Sequence, residues 1–237
     1  MSCGPQAPGE DPAAEGRRTG QASQAQPALD WALVESEATP LHFEVGGHAL
    51  PDGLLRRSLL QLRETYAAWG AGSLAWHLLD GGLAPSLLLH ARFPERSEAA
   101  QAEAEAAAER IRQGENFFAL LQEQGTEPPP IMKSPTPFAL GARVSAEVAV
   151  LEPGAWFGPV PTLKGWEIVY VEARGEGVRS RAGVMLRRLV YPVGDEADQN
   201  AARQEWATLP LAGDSALMRV LPRSFVRGRV LDDPLLQ

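Results

Sequence analysis

The sequence predicts an α+β fold, because strand-like and helix-like segments follow one another along the 237 residues. The most strand-like run is 166–171, where large and β-branched residues occupy almost every position. A Pro-Gly turn at Pro153-Gly154 and a passage held extended by two prolines precede it, so this stretch predicts two strands around a loop. The alanine-rich residues 97–114 have high helix propensity and predict a helix.

The overall composition describes a soluble, mildly acidic protein of one or two domains. Its formal net charge is -8, so no strongly basic field is present to bind nucleic acid. No apolar run approaches the ~20 residues that a transmembrane helix needs. The single cysteine excludes an internal disulfide and a cysteine-based metal cluster.

The first 27 residues predict a disordered tether, since they contain almost no large apolar side chain. The start MSCG followed by a polar tract resembles the mature end of a bacterial lipoprotein, with Cys3 as the lipidated residue. This reading implies a location in the cell envelope or periplasm. An ordinary disordered terminus with an incidental cysteine, in a cytoplasmic protein, is the alternative.

Residues 28–85 predict a short N-terminal strand-helix segment. Residues 41–47 alternate as a strand would, and leucines at helical spacing follow Pro51-Asp52 as far as Tyr66. A second apolar stretch with Trp69 and Trp76 ends at Gly81-Gly82, and its simplest role is to form core. A peptide-binding groove is the alternative there.

The helix at 97–114 has recognisable ends, with Ser97 as the predicted N-cap and Gly114 as the terminator. Residues 115–124 predict a second short helix. Residues 128–137 contain five prolines and predict an extended loop.

The C-terminal part, 176–237, predicts a βα extension. Residues 184–191 have the pattern of a strand, and 195–209 that of a helix with an acidic N-cap. Residues 224–231 predict one more strand. Residues 87–112 have the same order of strand, turn and helix, so an internal duplication is the alternative to an appended βα unit.

Residues 151–171 resemble the C-terminal hairpin of parvulin-type peptidyl-prolyl isomerases, whose pattern is L-x-x-G-x-x-S/G-x-P-V-x-T, a turn, then G-W/Y-H-I-I-x-V. The matching residues are Leu151, Gly154, Gly158, Pro159, Val160, Thr162, Gly165, Trp166, Ile168, Val169 and Val171. Upstream, 86–93 looks like the family's first strand with a histidine at His90, and 111–121 match I-x-x-G-x-x-F-x-x-L-A. The resemblance covers roughly 86–174. It implies a parvulin-like domain at 86–175, with a small antiparallel sheet flanked by helices.

The resemblance also implies the site residues. His90 and Thr162 would belong to a hydrogen-bonded catalytic floor, and Glu167 stands where the family has its other histidine. We expect Glu167 to accept the N–H of His90 and to raise its pKa; the alternative is that Glu167 points to solvent.

Three further residues would contact substrate. By the resemblance, Leu140 and Val144 form the proline pocket, where valine makes it shallower than the family's phenylalanine, and Trp166 lies beside them. Ile131 falls where the family usually has an acidic residue or a cysteine. No cofactor or metal is implied, and His42, His48 and His77 lack metal-like spacing.

The implied function is peptidyl-prolyl cis-trans isomerisation of unfolded or partly folded, proline-containing polypeptide clients. We expect weak activity and a preference for an apolar residue before proline. The alternative is a parvulin-fold chaperone or assembly factor that binds polypeptide without catalysis. Membrane contact is expected only through a lipid on Cys3, and no nucleic-acid partner is expected.

Overall fold

The computed structural model describes residues 29–36, 41–125, 132–133, 135–176 and 182–230. These residues form helices and antiparallel sheets, which confirms the α+β class. The tether 1–27 with Cys3, and Ile131, lie outside the described residues, so their roles stay predictions. Within the described ranges, no helix is long and apolar enough to cross a membrane.

Seven strands form two sheets in the described part of the chain. The strands are β1 (Phe43–Val45), β2 (His48–Ala49), β3 (Met132–Lys133), β4 (Trp156–Thr162), β5 (Gly165–Glu176), β6 (Ala182–Tyr191) and β7 (Leu211–Gly213). The larger sheet has the order β3-β6-β5-β4, and the smaller has the order β2-β1-β7. All of these pairings are antiparallel.

Helices cover both sheets. They are α1 (Trp31–Glu35), α2 (Leu54–Leu62), α3 (Ala71–Leu78), α4 (Ala84–Arg92), α5 (Pro94–Arg112), α6 (Phe117–Glu123), α7 (Pro137–Leu140), α8 (Ala142–Ala149), α9 (Glu196–Trp206), α10 (Ser215–Met218) and α11 (Arg223–Val226). A kinked turn at Leu79–Leu83, in which Gly82 has φ 139°, joins α3 to α4.

The predicted hairpin is confirmed as β4 and β5. Thr162 pairs with Gly165 across a two-residue turn, and Gly165 has φ 124°. A Cβ at Gly165 would lie 2.1 Å from the carbonyl oxygen of Tyr191, so only glycine fits where the turn crosses the end of β6.

The strand predicted at 86–93 is wrong, because 86–92 belong to α4 and Phe93 is its C-cap. Pro85 occupies its first turn, where a missing N–H costs nothing, and Leu88 and Leu89 are buried. A short apolar run such as Leu87–Leu89 does not distinguish a buried strand from a buried helix. The neighbour of β5 in the sheet is therefore β6, which follows it in the chain.

The two faces of the larger sheet have separate cores. Ile168 and Leu189 contact Ala108, Phe117 and other residues of α5 and α6. On the opposite face, Val169, Val171 and Val184 pack against the buried residues Leu140, Val144 and Val148. Glu167 alternates with Ile168 along β5, so it belongs to this second face.

Helix α5 confirms the alanine-rich prediction, with Arg110 and Arg112 in its last turn and Gly114 at φ 94° beyond it. Its predicted N-cap is wrong, since the helix begins at Pro94 and Ser97 lies inside it. The side chain of Ser97 faces His90 instead, and this contact becomes part of the site described below.

The C-terminal part contributes to the same core as the N-terminal segment. Leu59 and Leu74 share one buried cluster with Trp206, Leu211 and Leu217. Helix α9 begins with a capping box at Asp195 and Asp198, as its acidic start predicts. The strand predicted at 224–231 is wrong: α11 covers 223–226, and Val230 makes only an isolated bridge to Leu211.

Candidate functional site

A cavity of about 350 Å³ collects most of the predicted site residues. It lies against the β4–β5 hairpin and is closed on its other sides by α4 and by the α7–α8 turn. Five of the six predicted site residues line it: His90, Leu140, Thr162, Trp166 and Glu167. Val144 does not line the cavity; it is fully buried and packs behind Leu140 in the core below the sheet.

His90 connects α4 to the hairpin and to α5 through two hydrogen bonds. Its Nε2 lies 3.0 Å from the main-chain carbonyl oxygen of Thr162, and its Nδ1 lies 2.7 Å from Oγ of Ser97. Because a carbonyl oxygen only accepts, we assign the proton to Nε2 and let Nδ1 accept from the Ser97 hydroxyl. Burial lowers the pKa of His90 below 6.5 and so favours this neutral form, although the hydrogen bond to the Thr162 carbonyl raises the pKa in part.

Trp166 completes this group. Its indole Nε1 donates to Oγ of Ser97 at 3.2 Å, and its ring lies edge-on to His90 with centroids 5.6 Å apart. The same serine hydroxyl thus connects α5, α4 and β5. The arrangement fixes the wall of the cavity and leaves His90 with both ring nitrogens occupied.

The expected pairing of Glu167 with His90 is wrong. Glu167 is 1% exposed, and its Oε1 accepts the hydroxyl hydrogen of Thr162 at 2.6 Å. Its Oε2 accepts from Nη1 of Arg188 on β6 at 2.9 Å. The alternative that Glu167 faces solvent is also wrong, because its side chain is buried. The hydrogen bonds to Thr162 and Arg188 offset the cost of burying the carboxylate. The pKa of His90 is lowered by burial rather than raised by a carboxylate.

Arg188 is the site residue that sequence reasoning missed. It lies opposite Val169 on the neighbouring strand, which places its side chain on the face that carries Glu167. Its Nη2 also donates to the carbonyl oxygen of Leu140 at 3.2 Å, so it ties the sheet to the end of α7. The signal was the adjacent pair Arg187 and Arg188 within the predicted strand 184–191, because side chains alternate along a strand and only one of the two can share the face of Glu167.

Two lysines extend the site toward a second cavity of about 1070 Å³. Lys133 follows Met132 on β3, and Lys164 lies in the β4–β5 turn; with Arg188 and Gln199 they line both cavities. The larger cavity has an apolar wall from α5, α6 and β6 but contains none of the six predicted site residues among its described lining. The predicted site residues that line a cavity therefore all belong to the smaller one.

The described residues contain no group of three or more His, Cys, Asp or Glu side chains arranged to hold a metal ion. The buried side chains of Thr162 and Glu167 are instead paired with Arg188, with each other and with main-chain carbonyls. The arrangement can hold a small apolar group beside Leu140 and can present oriented hydrogen-bond donors and a cationic edge to a bound chain.

Comparison with protein-family models, with curated proteins and with solved structures found no match to this chain. The functional reading consequently depends on the cavity and on the residues that line it.

Proposed function

We propose that this protein is a weak peptidyl-prolyl cis-trans isomerase that acts on X-Pro bonds of unfolded or partly folded polypeptides. The observation that carries the proposal is the cavity of about 350 Å³, where an apolar wall meets a hydrogen-bonded floor. Leu140, Ala139 and Leu87 supply the apolar wall, while Thr162 and its partners supply the floor.

Isomerisation of a prolyl bond suits such a cavity because the reaction breaks no covalent bond. The barrier of about 18–20 kcal/mol comes from amide resonance, so a catalyst needs to favour the twisted amide rather than supply a nucleophile. A cavity that holds the proline ring against Leu140 and excludes water favours this state. The neutral His90 and the buried Thr162 keep the floor rigid.

The ion pair between Glu167 and Arg188 differs from the polar pair that the resemblance to parvulins implies. That resemblance implies two histidines on neighbouring strands of the sheet. Here Glu167 on β5 and Arg188 on β6 occupy neighbouring strands, and they form one buried polar pair under the cavity.

A second candidate function is binding of polypeptide without catalysis, as a chaperone or assembly factor. Two observations favour it. Val144 is fully buried and leaves the proline pocket without one expected wall. Both carboxylate oxygens of Glu167 are engaged by Thr162 and Arg188, so they are not free to act on a substrate.

A protease-coupled assay on short X-Pro peptides tests the proposal, together with peptide binding by fluorescence anisotropy. Uncatalysed exchange takes tens to hundreds of seconds, so modest acceleration is measurable. The variant Ala139→Trp places a bulky ring at the exposed edge of the cavity and should lower both rate and binding. Val150→Trp, at an exposed position outside the cavity lining, is the control.

Three outcomes separate the candidates. Acceleration that Ala139→Trp reduces and Val150→Trp preserves supports the isomerase. A rate equal to buffer with peptide binding retained supports the binding protein. If neither rate nor binding differs from buffer, both proposals are wrong.

A further inference from the structure

The smaller cavity is strongly cationic although the whole chain has a net charge of -8. Its described lining contains five basic side chains: Lys133, Arg143, Lys164, Arg188 and Arg203. Glu167 is the one carboxylate in that described lining. The charge of this surface is therefore opposite to that of the protein as a whole.

Most of these cations have partners within the protein. Arg188 forms its ion pair with Glu167, and Arg143 lies 2.8 Å from a carboxylate oxygen of Glu147. Arg203 donates to the side-chain oxygen of Asn200 at 3.4 Å. The two lysines remain, and neither forms an ion pair with a described residue.

Lys133 and Lys164 are also the only lysines in the chain, which otherwise contains twenty arginines. They come from different elements, β3 and the β4–β5 turn, and converge on the rim shared by both cavities. Partial burial lowers the pKa of Lys133, and the charges of Arg188 and Lys164 lower it further against the smaller opposing effect of Glu167. These like charges lie close enough to repel one another, and an anion placed among them relieves that repulsion.

We propose that Lys133 and Lys164 bind the carboxylate of an acidic side chain that lies close to the proline of a bound polypeptide. This proposal rests on the proposed function, since it names the substrate class of the same cavity. Two ammonium groups and the edge of Arg188 surround the carboxylate, while the proline ring lies against Leu140. Lysine suits this role because its flexible stem adapts to a carboxylate on a mobile chain.

A polypeptide is favoured over a small carboxylate by the shape of the site. The lysines stand at the junction of the two cavities, so a chain can enter the smaller cavity and continue past them along the apolar wall of the larger one. A free carboxylate would use the lysines alone. The sequence predicts a preference for an apolar residue before proline, whereas this proposal names an acidic residue. The difference arises because only the fold brings the two lysines together.

The test uses the full chain and two labelled proline peptides that differ only by glutamate or glutamine beside proline. Anisotropy titrations at low and at moderate salt measure both affinities. We expect the glutamate peptide to bind about fivefold more tightly at low salt, with most of the difference lost as salt screens the exposed charges. Equal affinities for the two peptides, or no binding of either, would overturn the proposal.

Variants localise the effect. Lys133→Gln combined with Lys164→Gln should remove the preference for glutamate, and the two Lys→Arg substitutions should retain it. Arg112→Gln removes one charge from an exposed position outside both cavities and should leave the preference unchanged. Loss of preference in Arg112→Gln to the same degree would assign the effect to net charge and contradict the site. A melting curve for each variant confirms that it is folded.

The scarcity of lysine gives a direct readout of the site. Reductive methylation with ¹³C-formaldehyde labels Lys133, Lys164 and the N-terminal amine, and it keeps their positive charge. We expect both lysine signals to shift with the glutamate peptide and to shift much less with the glutamine peptide. If free glutamate at the same concentration causes equal shifts, the ligand is a small carboxylate and the polypeptide proposal is wrong.

These measurements also separate this proposal from the isomerase itself. A preference for glutamate without acceleration of X-Pro exchange supports the acidic ligand and contradicts catalysis. Acceleration of X-Pro exchange with equal affinity for both peptides supports catalysis and contradicts the acidic ligand.

Discussion

At the scale of single residues, the site depends on which buried charges find partners. The sequence predicts that Glu167 accepts a hydrogen bond from His90 and raises its pKa. Its partners are instead the hydroxyl of Thr162 and the guanidinium of Arg188. The side chains of Arg188 and Glu167 are 16% and 1% exposed, so removal of either leaves a charge buried without compensation. The ion pair is consequently a structural requirement of the site, whatever else it does.

A double-mutant cycle measures this requirement. We expect Glu167→Ala and Arg188→Met each to lower the free energy of unfolding by about 3–5 kcal/mol. The double variant should lose much less than the sum, because no unpaired charge remains. Urea unfolding provides the values. The exposed pair Arg112 and Glu109 is the control, and its expected coupling is much smaller than that of the buried pair. Additive losses at Glu167 and Arg188 would contradict a direct interaction.

His90 allows a second prediction at this scale. Burial holds its pKa in the folded state below 6.5, so the unfolded chain takes up a proton first as the pH falls. The contribution of His90 to stability is fully present above its unfolded pKa and is lost as the pH falls toward its folded pKa. His77, whose pKa burial also lowers, adds an effect of the same sign.

Urea unfolding at about pH 7.5 and about pH 5.5 brackets the ordinary pKa of histidine. We expect the wild-type protein to lose more stability between these two values than His90→Gln does. His48→Gln, at an exposed position on β2, should lose as much as wild type. An identical pH dependence in wild type and His90→Gln would show that the His90 ring titrates normally.

At the scale of elements, the sequence predicted those segments whose residue pattern, propensity and terminal residues all indicate the same structure. The hairpin of β4 and β5, the alanine-rich α5 and the capped α9 have turn glycines, strong propensity or an acidic N-cap. The strand predicted at 86–93 is wrong because three consecutive leucines fit a buried strand and a buried helix equally well. The signal that favours a helix is Pro85, which occupies the first turn of α4. The position of β6 beside β5 was not predicted, because the sequence-based boundary at 175 assigns the strand at 184–191 to a separate extension, whereas the two consecutive strands pair along their length.

The hairpin turn gives the prediction for this scale. Gly165→Ala places a Cβ 2.1 Å from the carbonyl oxygen of Tyr191, and the φ of 124° is also unfavourable for alanine. We expect it to destabilise by more than about 3 kcal/mol, because strain and a backbone clash combine. Gly154→Ala, at φ 90° with open space around the new Cβ, should cost only about 1–2 kcal/mol. Equal losses in thermal unfolding would mean that the turn moves away from β6.

At the scale of the whole molecule, the N-terminal and C-terminal parts build one core. The cluster that contains Leu59 and Leu74 also contains Trp206 and Leu217, and β7 completes the small sheet begun by β1. In the larger sheet, β6 separates β5 from β3. The sequence-based division at 175 stays a prediction, but the packing favours a single cooperative unit.

Truncation after Glu176 tests that division. The shortened chain loses β6, so β5 exposes an unpaired edge and Ile168 loses its partner Leu189 on the neighbouring strand. We expect no cooperative thermal transition and strong binding of a hydrophobic dye, as in states without fixed packing. Removal of residues 1–27, whose composition predicts no fold, is the control and should leave the melting temperature unchanged. Addition of a separate 177–237 peptide should restore cooperative unfolding if the two parts form one core. A truncated chain that melts cooperatively alone would instead show that the chain up to Glu176 folds without the C-terminal part, as the division at 175 predicts.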